Sequence, residues 1–230
     1  MTETLLLAVI LIPCLIIAIV FHEVAHGWAA LALGDPTAKE KRRLSLNPIR
    51  HVDPIGTLLV PGALALFGGP IFGWAKPVPV RGDRLRDPRF GMVAVAAAGP
   101  GTNLVLAFVG ALIFGGISGM FIASGNTPPE WLLTAGGVFI LINVFLALFN
   151  LLPIPPFDGS HIVGGLLPRK WAGNWQKLQS LGMLFFIVLI AATWAFPNSG
   201  LIENTVLPPV LWLQERYFDL ADWVARGIAG

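Results

Sequence analysis

Four apolar stretches, each bounded by Gly, Pro or charged residues, set the frame of this chain. Residues 4–33 run almost without polar interruption to Gly34-Asp35-Pro36, a strong helix stop. Residues 89–117, 131–150 and 178–196 repeat the pattern, and each is near the roughly 20 residues a helix needs to cross hydrocarbon. Trp131, Trp175 and Trp194 lie near segment ends, where interfacial anchors belong.

Two stretches depart from this pattern. Residues 55–67 are apolar, but Gly68-Gly69-Pro70 and the Pro-interrupted residues 71–80 follow, and both flanks are basic. One complete crossing would place those flanks on opposite sides. The pattern therefore predicts a re-entrant segment, with 55–67 entering the membrane and 71–80 returning as extended or hairpin backbone. Such backbone is tolerated at depth only when covered by protein or lining a wet cavity. After Pro208-Pro209, Glu215, Asp219, Asp222 and Arg226 oppose Trp212, Phe218, Leu220 and Trp223, the spacing of an amphipathic helix lying in the interface or on a partner. The expected fold is an all-α polytopic membrane protein: a bundle of about four to six membrane helices, a re-entrant or hairpin segment near 55–80, and a C-terminal amphipathic helix. Residues 1–200 form the expected membrane domain and 201–230 the interfacial segment.

Composition agrees. Of 230 residues, 55% are hydrophobic and 12% charged, against about 25% charged in soluble domains. Net charge is only +2, and its placement matters more. Lys39, Lys41, Arg42, Arg43 and Arg50 form one basic stretch; Lys76, Arg81, Arg84, Arg86 and Arg89 a second; Arg169, Lys170 and Lys177 a third. The positive-inside rule puts these at the cytoplasm, and residues 118–130, residues 197–204 and the N-terminus outside. No nucleic-acid signature is present. The single cysteine, Cys14, excludes an internal disulfide and reads as a small buried hydrophobe. No basic segment precedes the first apolar run, so it reads as a retained helix rather than a cleaved leader.

Against this background, His22-Glu23-Val24-Ala25-His26 is chemically out of place. Positions i and i+4 share a helix face, so two imidazoles can grip one metal ion. Glu23 is then placed to take a proton from a metal-activated water, the zinc metalloprotease arrangement. Ionisable groups within an apolar helix are costly and mark function. A catalytic zinc takes three protein ligands. The third candidate is Asp158, which follows Asn150-Leu-Leu-Pro-Ile-Pro-Pro-Phe, where prolines stop an inward helix. At 1.5 Å per residue, His22 lies ~27 Å along its helix and Asn150 ~28 Å along its own, starting from the same face. Asp158 could instead cap the following helix, expected over 159–167.

The chain resembles the site-2 proteases, zinc metalloproteases that cut transmembrane substrates within the bilayer. The match lies in Phe21-His-Glu-Val-Ala-His26, Leu46-Asn-Pro-Ile-Arg-His-Val-Asp-Pro-Ile-Gly56, Gly99-Pro-Gly-Thr-Asn103 and Asn150-Leu-Leu-Pro-Ile-Pro-Pro-Phe-Asp-Gly159. The resemblance implies that His22, His26 and Asp158 ligate one zinc ion per chain and that Glu23 is the general base. It further implies that Asn150 holds the substrate backbone or stabilises the oxyanion. Asn103 either shares that role or makes an interhelical hydrogen bond. His51 is a structural loop residue, or it supports the metal site or gates substrate; His161 is read as structural, with a spare metal ligand or a group bracing the ligands as the alternatives. The implied partners are transmembrane protein substrates in the lipid bilayer, of a cell or plasma membrane. No PDZ-like insertion or nucleotide-sensing tail is visible, so substrate choice would rest on the membrane core, residues 71–80 or separate adaptor proteins. A metal-transporting protein using the same His/Asp site is the alternative, although it gives Glu23 no distinctive task.

Overall fold

The structure, a computed structural model, describes residues 2–66, 73–195, 200 and 204–230. Among these the chain forms nine α-helices: α1 (Thr2–Ala32), α2 (Thr37–Glu40), α3 (Val60–Leu66), α4 (Pro88–Ala123), α5 (Glu130–Asn150), α6 (Asp158–Leu166), α7 (Arg169–Ser180), α8 (Gly182–Ala195) and α9 (Leu207–Ala229). No strand occurs among the described residues. The fold is the expected all-α membrane protein. Leu5–Ala32 of α1, α4 and α5 are each long and apolar enough to cross a bilayer, and side chains such as Leu5, Val9, Ile113 and Leu133 stay exposed, as lipid-facing positions would.

The fourth apolar stretch divides. The chain turns at Leu181 between α7 and α8, leaving α8 only 14 residues long. Two physical differences account for the break. α7 carries Arg169, Lys170 and Lys177 on an amphipathic helix, whereas α8 is apolar throughout. Gly182 also lies so close to Pro155 that a Cβ would approach its side chain to 2.8 Å. Of the expected outer loop over 197–204, residues 197–199 and 201–203 fall outside the described residues, as do 67–72 of the expected hairpin.

The chain packs as two compact units. Unit 1 comprises Met1–Ala18, Gly101–Phe149 and Ile202–Gly230; unit 2 comprises Ile19–Pro100 and Asn150–Leu201. In unit 1, Ala107 and Ala111 of α4, Ile140 and Val144 of α5, and Val210 of α9 form a buried core. The expected tail is a helix whose Val210, Leu213 and Leu220 pack on the core of α4 and α5, while Trp212 and Trp223 of the expected apolar face stay exposed. Gly115 and Gly119 let α9 approach closely: a Cβ on Gly119 would sit 2.7 Å from the Ala225 carbonyl, and one on Gly115 would collide with the backbone of Ala221. Small residues four apart are a common way for apolar helices to gain contact where lipid offers no hydrophobic drive. Tyr217 Oη donates to Leu104 O at 3.1 Å, adding one directed bond.

In unit 2, α1 ends with Gly34 in the left-handed region at φ 111°. Gly34 N–H donates to Leu31 O and Asp35 N–H to Ala30 O, which satisfies the last carbonyls. Residues 54–66 are helical, first a π-helical stretch over Pro54–Leu59 and then α3. Residues 73–81 carry no helix or strand, so the expected extended or hairpin return is neither helical nor paired as a strand over these residues. Four of their amides are bonded: Trp74 N–H bonds Gly56 O at 3.0 Å and Lys76 N–H bonds His51 O at 2.9 Å. Val78 N–H bonds Glu23 Oε2 at 2.8 Å, and Arg81 N–H bonds Asp35 Oδ2 at 2.6 Å. Pro77 and Pro79 have no N–H to give. α6 is fastened by Arg89, whose Nε and Nη2 each reach a carbonyl, of Gly165 and Leu167, at 2.6 Å.

Candidate metal centre

All three expected ligands meet inside unit 2. His22 and His26 project from one face of α1, with ring centroids 4.7 Å apart and planes at 86°. Asp158 opens α6, and its carboxylate turns to the histidines rather than capping its own helix: Phe157 is the N-cap residue, with no side-chain cap bond. Asp158 Oδ2 lies 3.1 Å from His22 Nε2 and 3.3 Å from His26 Nε2. One ligand atom from each of the three residues falls within 4.8 Å of the others.

The proton inventory favours a cation between these atoms. His26 Nδ1 is 2.7 Å from Val95 O, and a carbonyl only accepts, so the proton sits on Nδ1. The Nε2 lone pair then faces a carboxylate oxygen, acceptor against acceptor. Asp158 Oδ2 is also buried without a well-formed hydrogen bond among the described groups. A metal ion resolves both problems, and an imidazole braced through Nδ1–H by a carbonyl is the usual support of a metal-ligating histidine. Two imidazoles and a carboxylate suit zinc. The surroundings leave room for nothing else on one side: a Cβ on Gly99 would lie 2.5 Å from His26 Nε2 and 2.7 Å from His22 Cε1. Only glycine fits there.

A cavity of about 340 Å³ adjoins the cluster, lined by Glu23, Val78, Asn150, Pro156 and His161 together with the three ligands, among others. Glu23 is one residue from His22, half-buried, with Oε2 held by Val78 N–H. Asn150, the last residue of α5, borders the same space.

Asn103 stands in unit 1. It is fully buried, its Nδ2 donating to Ala18 O at 3.1 Å and to Asn143 Oδ1 at 2.9 Å, while Asn143 Nδ2 donates to Phe139 O. Those bonds tie α1, α4 and α5 together. His51 is buried in its loop with Nε2 2.7 Å from Ser45 O, and neighbouring Asn47 and Asp53 cap short helical turns. Three contributors were not legible as such: Val95, which acts through its carbonyl; Val78, through its amide; and His161, read as structural. For Val78 the Pro-Val-Pro sequence was a signal, since it leaves a single donor in that stretch. Gly99 belonged to an expected motif, but its contact with both imidazoles required the fold.

The model of peptidase family M50 matches residues 115–192, which include Asn150 and Asp158 and lie beyond the His22–His26 motif. Three proteins that carry the name "Putative zinc metalloprotease" are similar to the chain. YwhC of Bacillus subtilis is 38% identical over 199 residues, 83% of this chain and 86% of that protein. MJ0611 of Methanocaldococcus jannaschii is 34% identical over 149 residues, 63% of each chain. Rip2 of Mycolicibacterium smegmatis is 28% identical over 177 residues, 76% of this chain and 64% of that protein. No solved structure matches the chain.

Proposed function

We infer the reaction from family and geometry together: the chain belongs to peptidase family M50, the site-2 proteases, and is an intramembrane zinc metalloprotease. It is a multi-pass integral membrane protein, and membrane proteins are its substrates. Nothing in the family or the site favours metal transport. The observation that carries the assignment of residues is the convergence of His22, His26 and Asp158 beside Glu23.

We propose that these three residues hold one zinc ion. When bound, zinc acidifies a water to a pKa near 7 and polarises a carbonyl. Glu23 is the proposed general base: Oε2 is held by Val78 N–H, and Oε1 takes the proton of the attacking water. The same carboxyl then returns that proton to the leaving amine nitrogen. The role proposed for Asn150, which lines the same cavity, is to donate an amide hydrogen to the carbonyl oxygen without adding charge. The bonds that Asn103 makes support the bracing role for that residue rather than a place in the reaction.

A transmembrane helix hides its carbonyls in its own hydrogen bonds, so the substrate must unwind first. The proposed preference is for Gly, Pro or other helix-weakening residues near the cut, with the non-helical backbone of residues 73–81 as the proposed strip along which an unwound chain lies. The three basic stretches support a cytoplasmic-side site in the cell membrane, with water entering from there. Separate adaptor proteins complete the proposal for substrate choice.

The test is metal analysis of purified wild type, His22→Ala and Asp158→Ala, alongside cleavage of a transmembrane reporter. The expected result is about one zinc per chain, lost in both variants together with cleavage. Zinc retained in Asp158→Ala would overturn the ligand set.

A further inference from the structure

We propose that His161 is a second hydrogen-bond donor of the catalytic cavity, presenting Nε2–H to the scissile carbonyl oxygen as that oxygen gains negative charge. The proposal rests on the protease reading above. His161 follows Asp158 by three residues on α6, so both occupy neighbouring positions on one helix face. It lines the cavity that holds Glu23, Asn150 and the three ligands, yet stands outside the group of atoms close enough to share one ion. That is the placement of a group that touches substrate rather than metal.

Its tautomer is set by α7. Ser160 O accepts a hydrogen bond from Gln179 Nε2 at 3.1 Å and another from Trp175 Nε1 at 2.8 Å. A carbonyl only accepts, so the Gln179 atom facing it must be the amide nitrogen. The same nitrogen is 3.4 Å from His161 Nδ1 and 3.4 Å from Ser160 Oγ, so its second hydrogen is shared between them. An amide nitrogen only donates, so Nδ1 is the acceptor and the ring proton resides on Nε2. Trp175 shares the Ser160 carbonyl and packs on α6, where a Cβ on Gly164 would press to 2.7 Å on its ring. Gln179 is therefore a positioning residue acting through His161. A neutral imidazole donor suits this cavity because it stabilises an oxyanion without bringing a second positive charge near the metal ligands.

The consequence is a bond that strengthens only as the carbonyl oxygen becomes charged, which lowers kcat and spares KM when removed. The experiment compares wild type with His161→Phe, His161→Gln and Gln179→Leu, all full-length. Readouts are zinc content, kcat and KM on a transmembrane reporter, and nitrogen NMR of histidine-labelled protein, with His161→Gln assigning the resonance. Expected are unchanged zinc in every variant, a fall in kcat of about 10²-fold in His161→Phe at similar KM, and substantial recovery in His161→Gln, whose amide nitrogen can replace Nε2–H. Gln179→Leu should lose about tenfold and show mixed tautomers where wild type shows Nε2–H alone. Zinc lost in His161→Phe, kcat within twofold of wild type, or a wild-type ring protonated on Nδ1 would each overturn the role. If wild type cuts no faster than Glu23→Gln, the protease reading fails and this role falls with it. An active wild type matched by His161→Phe removes this role alone.

Discussion

Around the histidines of unit 2 the fixed distances are hydrogen bonds with a direction, whereas in unit 1 they are mostly contacts between small and apolar residues. Glu23 is held by Val78 N–H, His26 by Val95 O, Asp35 by Arg81 N–H and α6 by Arg89. α4 and α9 instead meet through Gly115 and Gly119 against Ala221 and Ala225, with the buried Asn103–Asn143 pair as the main polar tie between helices. The difference follows from what each region must specify. The proposed base and its three proposed metal ligands need orientation within a fraction of an ångström, which directional bonds supply. A helical scaffold in lipid needs close volume matching, which small residues supply.

Substitutions that interrupt one kind of restraint and spare the other test this contrast. Glu23→Gln removes the proton acceptor while its amide can still receive the Val78 N–H. Cleavage of a transmembrane reporter should fall by about 10³-fold with zinc content unchanged; zinc lost as well would mean that the carboxylate also shapes the metal site. Gly99→Val drives a side chain into both imidazoles. Titration with a competing chelator should then show zinc affinity lowered by about 10–100-fold, and wild-type affinity would show that α4 can yield there.

Gly119→Leu belongs to the other region. Forcing bulk between α4 and α9 should cost about 1–3 kcal/mol, read as a lower thermal midpoint in detergent, with zinc stoichiometry intact in the folded protein. A variant of normal stability that had lost its zinc would erase the distinction between the two units.

The smallest effect concerns Asp35, just beyond the first membrane helix. Burial pushes its carboxyl up, but the bonds from Arg81 N–H, Thr37 Oγ1 and Thr37 N–H, with the charge of Arg84, outweigh this and hold it below the ordinary value. A depressed folded value means the stabilisation is present above the unfolded pKa, about 3.9, and fades as pH falls through the folded value. The thermal-midpoint gap between wild type and Asp35→Asn should therefore be widest near neutrality and narrow on acidification below about pH 4. A gap that widens in acid would contradict the assignment.

Much of this was legible in the chain. The apolar runs marked α1, α4 and α5 closely, because a helix in lipid must satisfy its own backbone and signals itself by length alone. The His22–His26 spacing announced a metal grip, because i and i+4 positions share a face in any helix. Asp158 was reachable because three prolines and a carboxylate at the end of an inward helix have few structural uses. The division of residues 178–196 into α7 and α8 was not legible: average hydropathy does not register the turn at Leu181, beside which Gly182 lies close to Pro155.

By itself, then, the sequence determined the class of protein, the candidate ligand residues and the candidate base, since local spacing and composition carry that information. Only the tertiary structure decided what holds them. That Val95 lends its carbonyl to His26, Val78 its amide to Glu23 and Gly99 its missing side chain to both imidazoles depends on backbone groups and empty volume. Every residue has the former, and no residue letter records the latter, so only the approach of distant segments gives them a role.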